Sequence, residues 1–283
     1  VTDANGEFTV TGLTDGAHYV LKETEAPAGY ALANPVDFVY RDNLTVNDPS
    51  MTVTDAVATF KVRKLNASVT PNTPLAGATL AIYDASNTNL IRGNITSVGA
   101  TTGNEGGWIT LSADVGQTDA AHYLVPGNAY VLRELAPPNG FAINNTPISF
   151  TFTANSAAEA SISDPKLALS IDKKFITGSD LVPGASLLIT DDTDSRTVDS
   201  WTTANPAETH VVAYDKLIAG HSYTLTETLA PEGYTLSESV HFTIALDGTV
   251  ALVSGSAGEV SGTTVTMRDA YTKLSIVKVN AAG

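Results

Sequence analysis

Tyr223-Thr224-Leu225-Thr226-Glu227-Thr228-Leu229-Ala230-Pro231-Glu232-Gly233-Tyr234 reads as a β-strand running into a tight turn. Side chains alternate across a strand, so Tyr223, Leu225 and Glu227 share one face, and Pro231 and Gly233 supply the turn. The signature occurs twice more, as Tyr19-Val20-Leu21-Lys22-Glu23-Thr24-Glu25-Ala26-Pro27-Ala28-Gly29-Tyr30 and as Tyr130-Val131-Leu132-Arg133-Glu134-Leu135-Ala136-Pro137-Pro138-Asn139-Gly140-Phe141. In each copy a Glu stands in phase with an aromatic and a Leu and therefore points at a core. An unpaired carboxylate is costly there, so each Glu needs a partner.

Two further repeats supply candidates. One is an apolar-x-apolar-x-Lys strand: Phe60-x-Val62-x-Lys64, Leu169-x-Ile171-x-Lys173 and Leu274-x-Ile276-x-Lys278. The other has the same alternation but ends in Asp: Met51-x-Val53-x-Asp55, Ala160-x-Ile162-x-Asp164 and Val265-x-Met267-x-Asp269. Period-two geometry puts the Lys and the Asp on the buried face. Each Asp precedes the next Lys by nine residues, so the last strand of one unit runs almost directly into the first of the next.

These repeats divide the 283 residues into units. Residues 1–57 are the C-terminal part of a first domain without its Lys strand. Residues 58–165 and 166–271 are two complete domains, and 272–283 open a further repeat. The expectation is a segment of a longer chain, with Asp55 and Lys278 unpaired in it. The other arrangement, Lys278 of one molecule bonding Asp55 of another, would have to use a first unit that lacks several strands.

Composition agrees with an all-β array. The chain is 43% hydrophobic with 22 Gly and 13 Pro, and it exceeds the size of one typical core. Short alternating runs such as Glu7-Phe8-Thr9-Val10 and Gly107-Trp108-Ile109-Thr110-Leu111 lie between turn-forming clusters. Thirty acidic residues against fifteen basic ones give a net charge of −15, which argues against nucleic acid or an acidic membrane surface as a partner. No apolar run approaches the roughly 18 residues of a membrane span, and no signal-peptide pattern opens the chain. With no cysteine, disulfides, thiolate metal sites and thiol nucleophiles are excluded.

The Glu-Thr-x-Ala-Pro-x-Gly-Tyr box resembles the E-box of Cna B-type domains, the prealbumin-like β-sandwich repeats of Gram-positive surface adhesins and pilins. Leu75-Ala76-Gly77-Ala78 and Pro183-Gly184-Ala185 after the Lys strands agree, as does Val265-Thr266-Met267-Arg268-Asp269-Ala270-Tyr271 as a final strand. Leu135 and Pro138 depart from the usual box, and the third copy has a longer stretch between Glu227 and Asp269. The resemblance implies tandem Ig-like or prealbumin-like sandwiches in a rod, each complete domain closed by a spontaneous isopeptide bond. Carried onto this chain, Lys64 bonds Asp164 with Glu134 as catalyst, and Lys173 bonds Asp269 with Glu227 as catalyst. Glu23 and Asp55 are the incomplete set of the first unit.

The chemistry is sound without the family. Burial disfavours both the ammonium and the carboxylate, so a neutral amine can attack a neutral carboxyl. A nearby Glu moves the proton to the departing hydroxyl, and the strands hold the reactants together. The event occurs once per molecule, so no enzyme with turnover and no cofactor is implied. A buried ion network is the other reading of the same residues.

Other constellations are weaker. His18, His122, His210, His221 and His241 have no metal-ligand spacing and read as solvated loop residues. Asp191-Asp192-Thr193-Asp194-Ser195 lacks the Gly and Glu of a calcium loop and reads as a hairpin tip. Trp108 and Trp201 read as strand aromatics. The expected function is a tension-bearing stalk segment of an extracellular, cell-wall-anchored adhesin or pilin, its partners being neighbouring repeats. The alternative is an adhesion module whose loops contact a host matrix protein or glycan. A polymerising pilin would call for a Tyr-Pro-Lys type motif, which this chain does not contain.

Overall fold

The computed structural model describes residues 1–27, 30–42, 51–56, 59–66, 68–70, 73–97, 108–112, 124–125, 127–152, 159–272 and 276–278. Among these residues, twenty strands and one short 3₁₀ turn make up the regular structure. In the first unit, β1 (His18–Leu21) and β2 (Val36–Val39) form an antiparallel pair. No strand forms at Glu7–Val10, where Phe8 and Val10 are exposed, nor at 51–56, beside which no strand lies among the described residues. Alternation alone does not make a strand where no neighbour offers backbone partners.

The second unit begins with β3 (Thr59–Asn66), β4 (Thr73–Pro74), β5 (Thr79–Asp84) and β6 (Leu90–Thr96). It continues through β7 (Trp108–Ser112), β8 (Ala129–Ala136), β9 (Ile148–Thr151) and β10 (Glu159–Asp164). One sheet runs β10-β3-β4, with β7 also on β3, and the other runs β6-β5-β8-β9. Val62, Leu80, Ile82, Leu132, Phe152 and Ile162 fill the space between them.

The third unit repeats the plan: β11 (Ser170–Phe175), β12 (Ser186–Asp191), β13 (Arg196–Thr202), β14 (His210–Val211) and β15 (Ser222–Leu229). Then come β16 (Tyr234–Thr235), β17 (Val240–Ile244), β18 (Val250–Leu252), β19 (Glu259–Ser261) and β20 (Thr264–Tyr271). Its sheets run β14-β11-β20-β16, with β19 on β20, and β13-β12-β15-β17-β18. The longer stretch after Glu227 accommodates β18 and β19. Each fully buried Leu, Ile, Val or Phe in these cores contributes about 1.5–3 kcal/mol.

The box tyrosine does the same job three times. Its hydroxyl accepts the backbone N–H five residues upstream at 2.8 Å, from Thr14, Val125 and Ile218. Its ring packs on Phe38, Phe150 or Phe242 at 5.5–5.8 Å. The first two of the three Pro-x-Gly segments lead into junctions. Ala31 is buried in the second unit's core, and Ala142 and Leu167 in the third's. At the second junction, Gly140 N–H donates to Leu217 O and Ile143 N–H to Leu246 O, both at 2.8 Å. Phe141 meets Tyr214 edge-on, and the Lys166 ammonium sits 4.1 Å from the centre of that ring. Gly140 has φ +85°, and a Cβ there would come within 3.0 Å of Tyr214 O, so both the turn and the approach require glycine.

Candidate functional site

Strand register brings the Lys and the Asp together. β3 and β10 run parallel with Lys64 opposite Ile162, so Asp164 lies two residues on and on the same face. β11 and β20 repeat this, with Lys173 opposite Met267 and Asp269 two residues on. The Glu comes from the facing sheet, and beside it the ladder slips. Thr79 pairs with Ala136 but Leu80 with Glu134, skipping Leu135; Ser186 pairs with Leu229 but Leu187 with Glu227, skipping Thr228. Such a bulge re-aims the neighbouring side chain, here into the gap between the sheets.

In the second unit the Lys64 ammonium hydrogen-bonds Asp164 Oδ1 and lies 2.7 Å from Glu134 Oε1. All three side chains are fully buried. Glu134 Oε2 accepts the Asn144 backbone N–H at 2.9 Å. Asp164 Oδ2 has no hydrogen-bond partner among the described residues. Burial pushes the Asp164 carboxyl up to about 7, against the opposing pull of Lys64 and with Glu134 adding to the rise.

In the third unit Lys173 Nζ lies 2.6 Å from Asp269 Oδ1 and 3.1 Å from Glu227 Oε1. Glu227 Oε2 accepts the Ser237 backbone N–H at 2.8 Å. Burial raises the Glu227 carboxyl above its ordinary range, although the Ser237 N–H and Lys173 pull it down. The Ser237 hydroxyl joins this group: it accepts from Lys173 Nζ at 2.5 Å and reaches Asp269 Oδ1 at 2.6 Å.

The first unit holds two of the three parts. Glu23 Oε2 accepts the Ala33 N–H at 2.7 Å. Burial together with the charge of Glu23 raises the pKa of Asp55. Lys278 is exposed and joins neither trio. Its expected strand does not form at 276–278, and Leu274 lies outside the described residues.

Sequence reading missed the bulges and the residue ten after each box Glu. That residue is Ala33, Asn144 or Ser237, and its N–H holds the carboxylate every time. The constant offset is the signal that would have found it. The histidines also need correction. His18, His210 and His241 stand on strands; His210 stacks on Trp201 and pairs with Asp199, and His221 binds the buried Asp191. His122 and the side chain of Trp108 lie outside the described residues. Asp192–Ser195 is a hairpin tip between β12 and β13. Asp191, Asp194 and His221 come within 4.8 Å of one another. The Asp191 carboxylate is already occupied by Thr193 and Asp194 N–H groups, His221 and Arg196.

Three stretches, residues 1–54, 58–166 and 168–256, match the family model for the SpaA prealbumin-like fold domain. The chain belongs to that family. Membership in the SpaA prealbumin-like family accounts for the repeated two-sheet plan. Among solved structures, the TIE protein of Bacillus anthracis is 21% identical over 91% of this chain and 42% of its own, with a TM-score of 0.40. The open pilus adhesin SpaC of Lactobacillus rhamnosus GG is 18% identical over 80% of this chain and 33% of its own, with a TM-score of 0.42. The shaft pilin SpaA of the same organism is 16% identical over 77% of this chain and 99% of its own, with a TM-score of 0.30. The chain thus matches less than half the length of the first two. A search of curated protein sequences returns no match.

Proposed function

We propose that this chain is a tension-bearing stalk segment of a bacterial surface adhesin or pilin. Residues 58–165 and 166–271 are its two complete domains, each locked by a self-made Lys–Asp amide. The observation that carries the reading is the sealed Lys–Glu–Asp trio, which recurs in the same register where the first and last strands of each unit lie side by side. Family membership and the resemblance of the box to surface adhesins and pilins supply the extracellular setting.

The reaction starts with transfer of the ammonium proton to the Asp, favoured where burial penalises both charges. The neutral amine attacks Cγ, and Glu134 or Glu227 takes the second amine proton and delivers it to the hydroxyl, which leaves as water. Force enters a unit through its first strand and leaves through its last, and the amide joins those strands directly. The roughly 100 residues between Lys64 and Asp164, which would otherwise extend to about 330 Å, are bypassed. By analogy with a disulfide closing a loop of similar length, the crosslink adds about 4–5 kcal/mol.

Intact mass of the denatured chain tests the reading. The expected mass is the sequence mass less two waters, with branched peptides joining the Lys64 and Asp164 segments and those of Lys173 and Asp269. An unchanged mass overturns it.

A further inference from the structure

We propose that Ser237 is a catalytic residue of amide formation in the third unit, relaying a proton from the Lys173 amine to the departing oxygen of Asp269. The inference rests on the reading that this amide forms, and its test separates the two.

The geometry is a closed ring. Ser237 Oγ lies 2.5 Å from Lys173 Nζ and 2.6 Å from Asp269 Oδ1, while Nζ lies 2.6 Å from that same oxygen. A hydroxyl carries one proton and two lone pairs, so it can accept from the amine and donate to the carboxyl at once. Ser237 is held in place by its own backbone: its N–H donates to Glu227 Oε2 at 2.8 Å, and its Oγ is also 3.0 Å from Arg268 O.

The step balances. The first ammonium proton goes to the Asp269 carboxylate, leaving R–NH₂ and R′–COOH. Beside the route through Glu227, as the N–Cγ bond forms and the Cγ–Oδ1 bond breaks, the amine gives a proton to Ser237 Oγ. The Ser237 proton passes to the Oδ1 hydroxyl, which leaves as water. Ser237 ends unchanged, and no net charge is created in the buried space.

The second unit provides the contrast. Asn144 holds the equivalent place, and its Nδ2–H donates to Ser163 O at 2.9 Å, just as Ser237 Oγ reaches the carbonyl before Asp269. Its Oδ1 accepts the Thr146 N–H at 3.0 Å, so the Asn144 amide is engaged with backbone groups. There Glu134 stands nearer the amine, 2.7 Å against 3.1 Å for Glu227. Where the Glu is farther off, a hydroxyl bridges. Ser237 also lines an open cleft with Thr235, Glu238, Gly258 and Arg268, which gives the released water a way out.

The test uses chain recovered unfolded from inclusion bodies and refolded by dilution. Samples are quenched in acid, and peptide mapping quantifies both crosslinks, with Lys64–Asp164 as internal clock. Ser237→Ala should slow the Lys173–Asp269 bond about tenfold and leave the other unchanged. This is less than the about 10²–10⁴ of a sole acid–base group because Glu227 remains. Ser237→Asn installs the second unit's own side chain, keeps a donor for Arg268 O, and should be equally slow. Ser237→Thr should restore the rate. Circular dichroism verifies that each variant folds. Wild-type rates in the Ala and Asn variants, or no rescue by a folded Thr variant, overturn the proposal while the function stands. A wild-type chain that keeps both waters overturns both.

Discussion

The second and third units place Lys, Glu and Asp in the same strand register and behind the same bulge, yet the surroundings of the two amines differ. Lys64 meets only carboxyl oxygens among its described contacts, and burial pushes Asp164 up to about 7. Lys173 meets two carboxyls and a hydroxyl, and there it is Glu227 that burial raises. The lesson is that the sheets set where the Lys, Glu and Asp groups lie, while one side chain from an irregular segment sets which hydrogen bonds the amine makes.

Removing the amine should have the largest effect. Lys64→Ala leaves Glu134 and Asp164 buried without their cation, a loss of about 3–5 kcal/mol, and opens a loop worth about 4–5 kcal/mol more. That approaches the whole stability of a typical domain, so residues 58–165 should become sensitive to protease at room temperature. Lys173→Ala should cost less, because the Ser237 hydroxyl still satisfies Asp269. Equal urea midpoints for the two variants would break the comparison.

Next in size are the glutamates. Glu134→Ala should slow the Lys64–Asp164 bond by about 10²–10⁴, and Glu227→Ala should slow its own bond roughly tenfold less, since a hydroxyl route remains. Peptide mapping of refolding samples reads both rates. A larger loss in the third unit would contradict the contrast drawn above.

The smallest effect is of pH. A carboxyl with pKa about 7 is about one-tenth ionised at pH 6 and about nine-tenths at pH 8, and the reacting pair arises from the ionised form, which takes its proton from the Lys64 ammonium. The Lys64–Asp164 rate should therefore rise up to about ninefold between those values, read against the third unit in the same samples. A rate that falls over that interval would place the limiting proton on another group.

Much of this was legible in the sequence, and for a physical reason. Lys64, Lys173, Asp164 and Asp269 sit on strands with period-two alternation, and a charged residue in phase with Val62, Ile171, Ile162 or Met267 stands out. Ser237 does not. It lies just beyond the two-residue strand β16, where no period marks an inward side chain, and it meets Lys173 from 64 residues away. The bulges at Leu135 and Thr228 are equally silent, since a ladder slip depends on the partner strand. Glu7–Val10 misled in the other direction, because alternation was present and a neighbour was not. His221 and Asp191, 30 residues apart, find each other only through the fold.

The junctions give the array a direction. Ala31 completes the base of the core that follows it, and Ala142 with the Phe141–Tyr214 contact does the same one unit later. In each case the upstream module donates the plug and the downstream one provides the socket. The free energy of such a chain is a sum over modules and nearest-neighbour couplings, and here each coupling is lodged in the receiver's core. Such a coupling is reciprocal: loss of the plug opens the receiver's core, and loss of the receiver strips the plug of its burial by the same free energy.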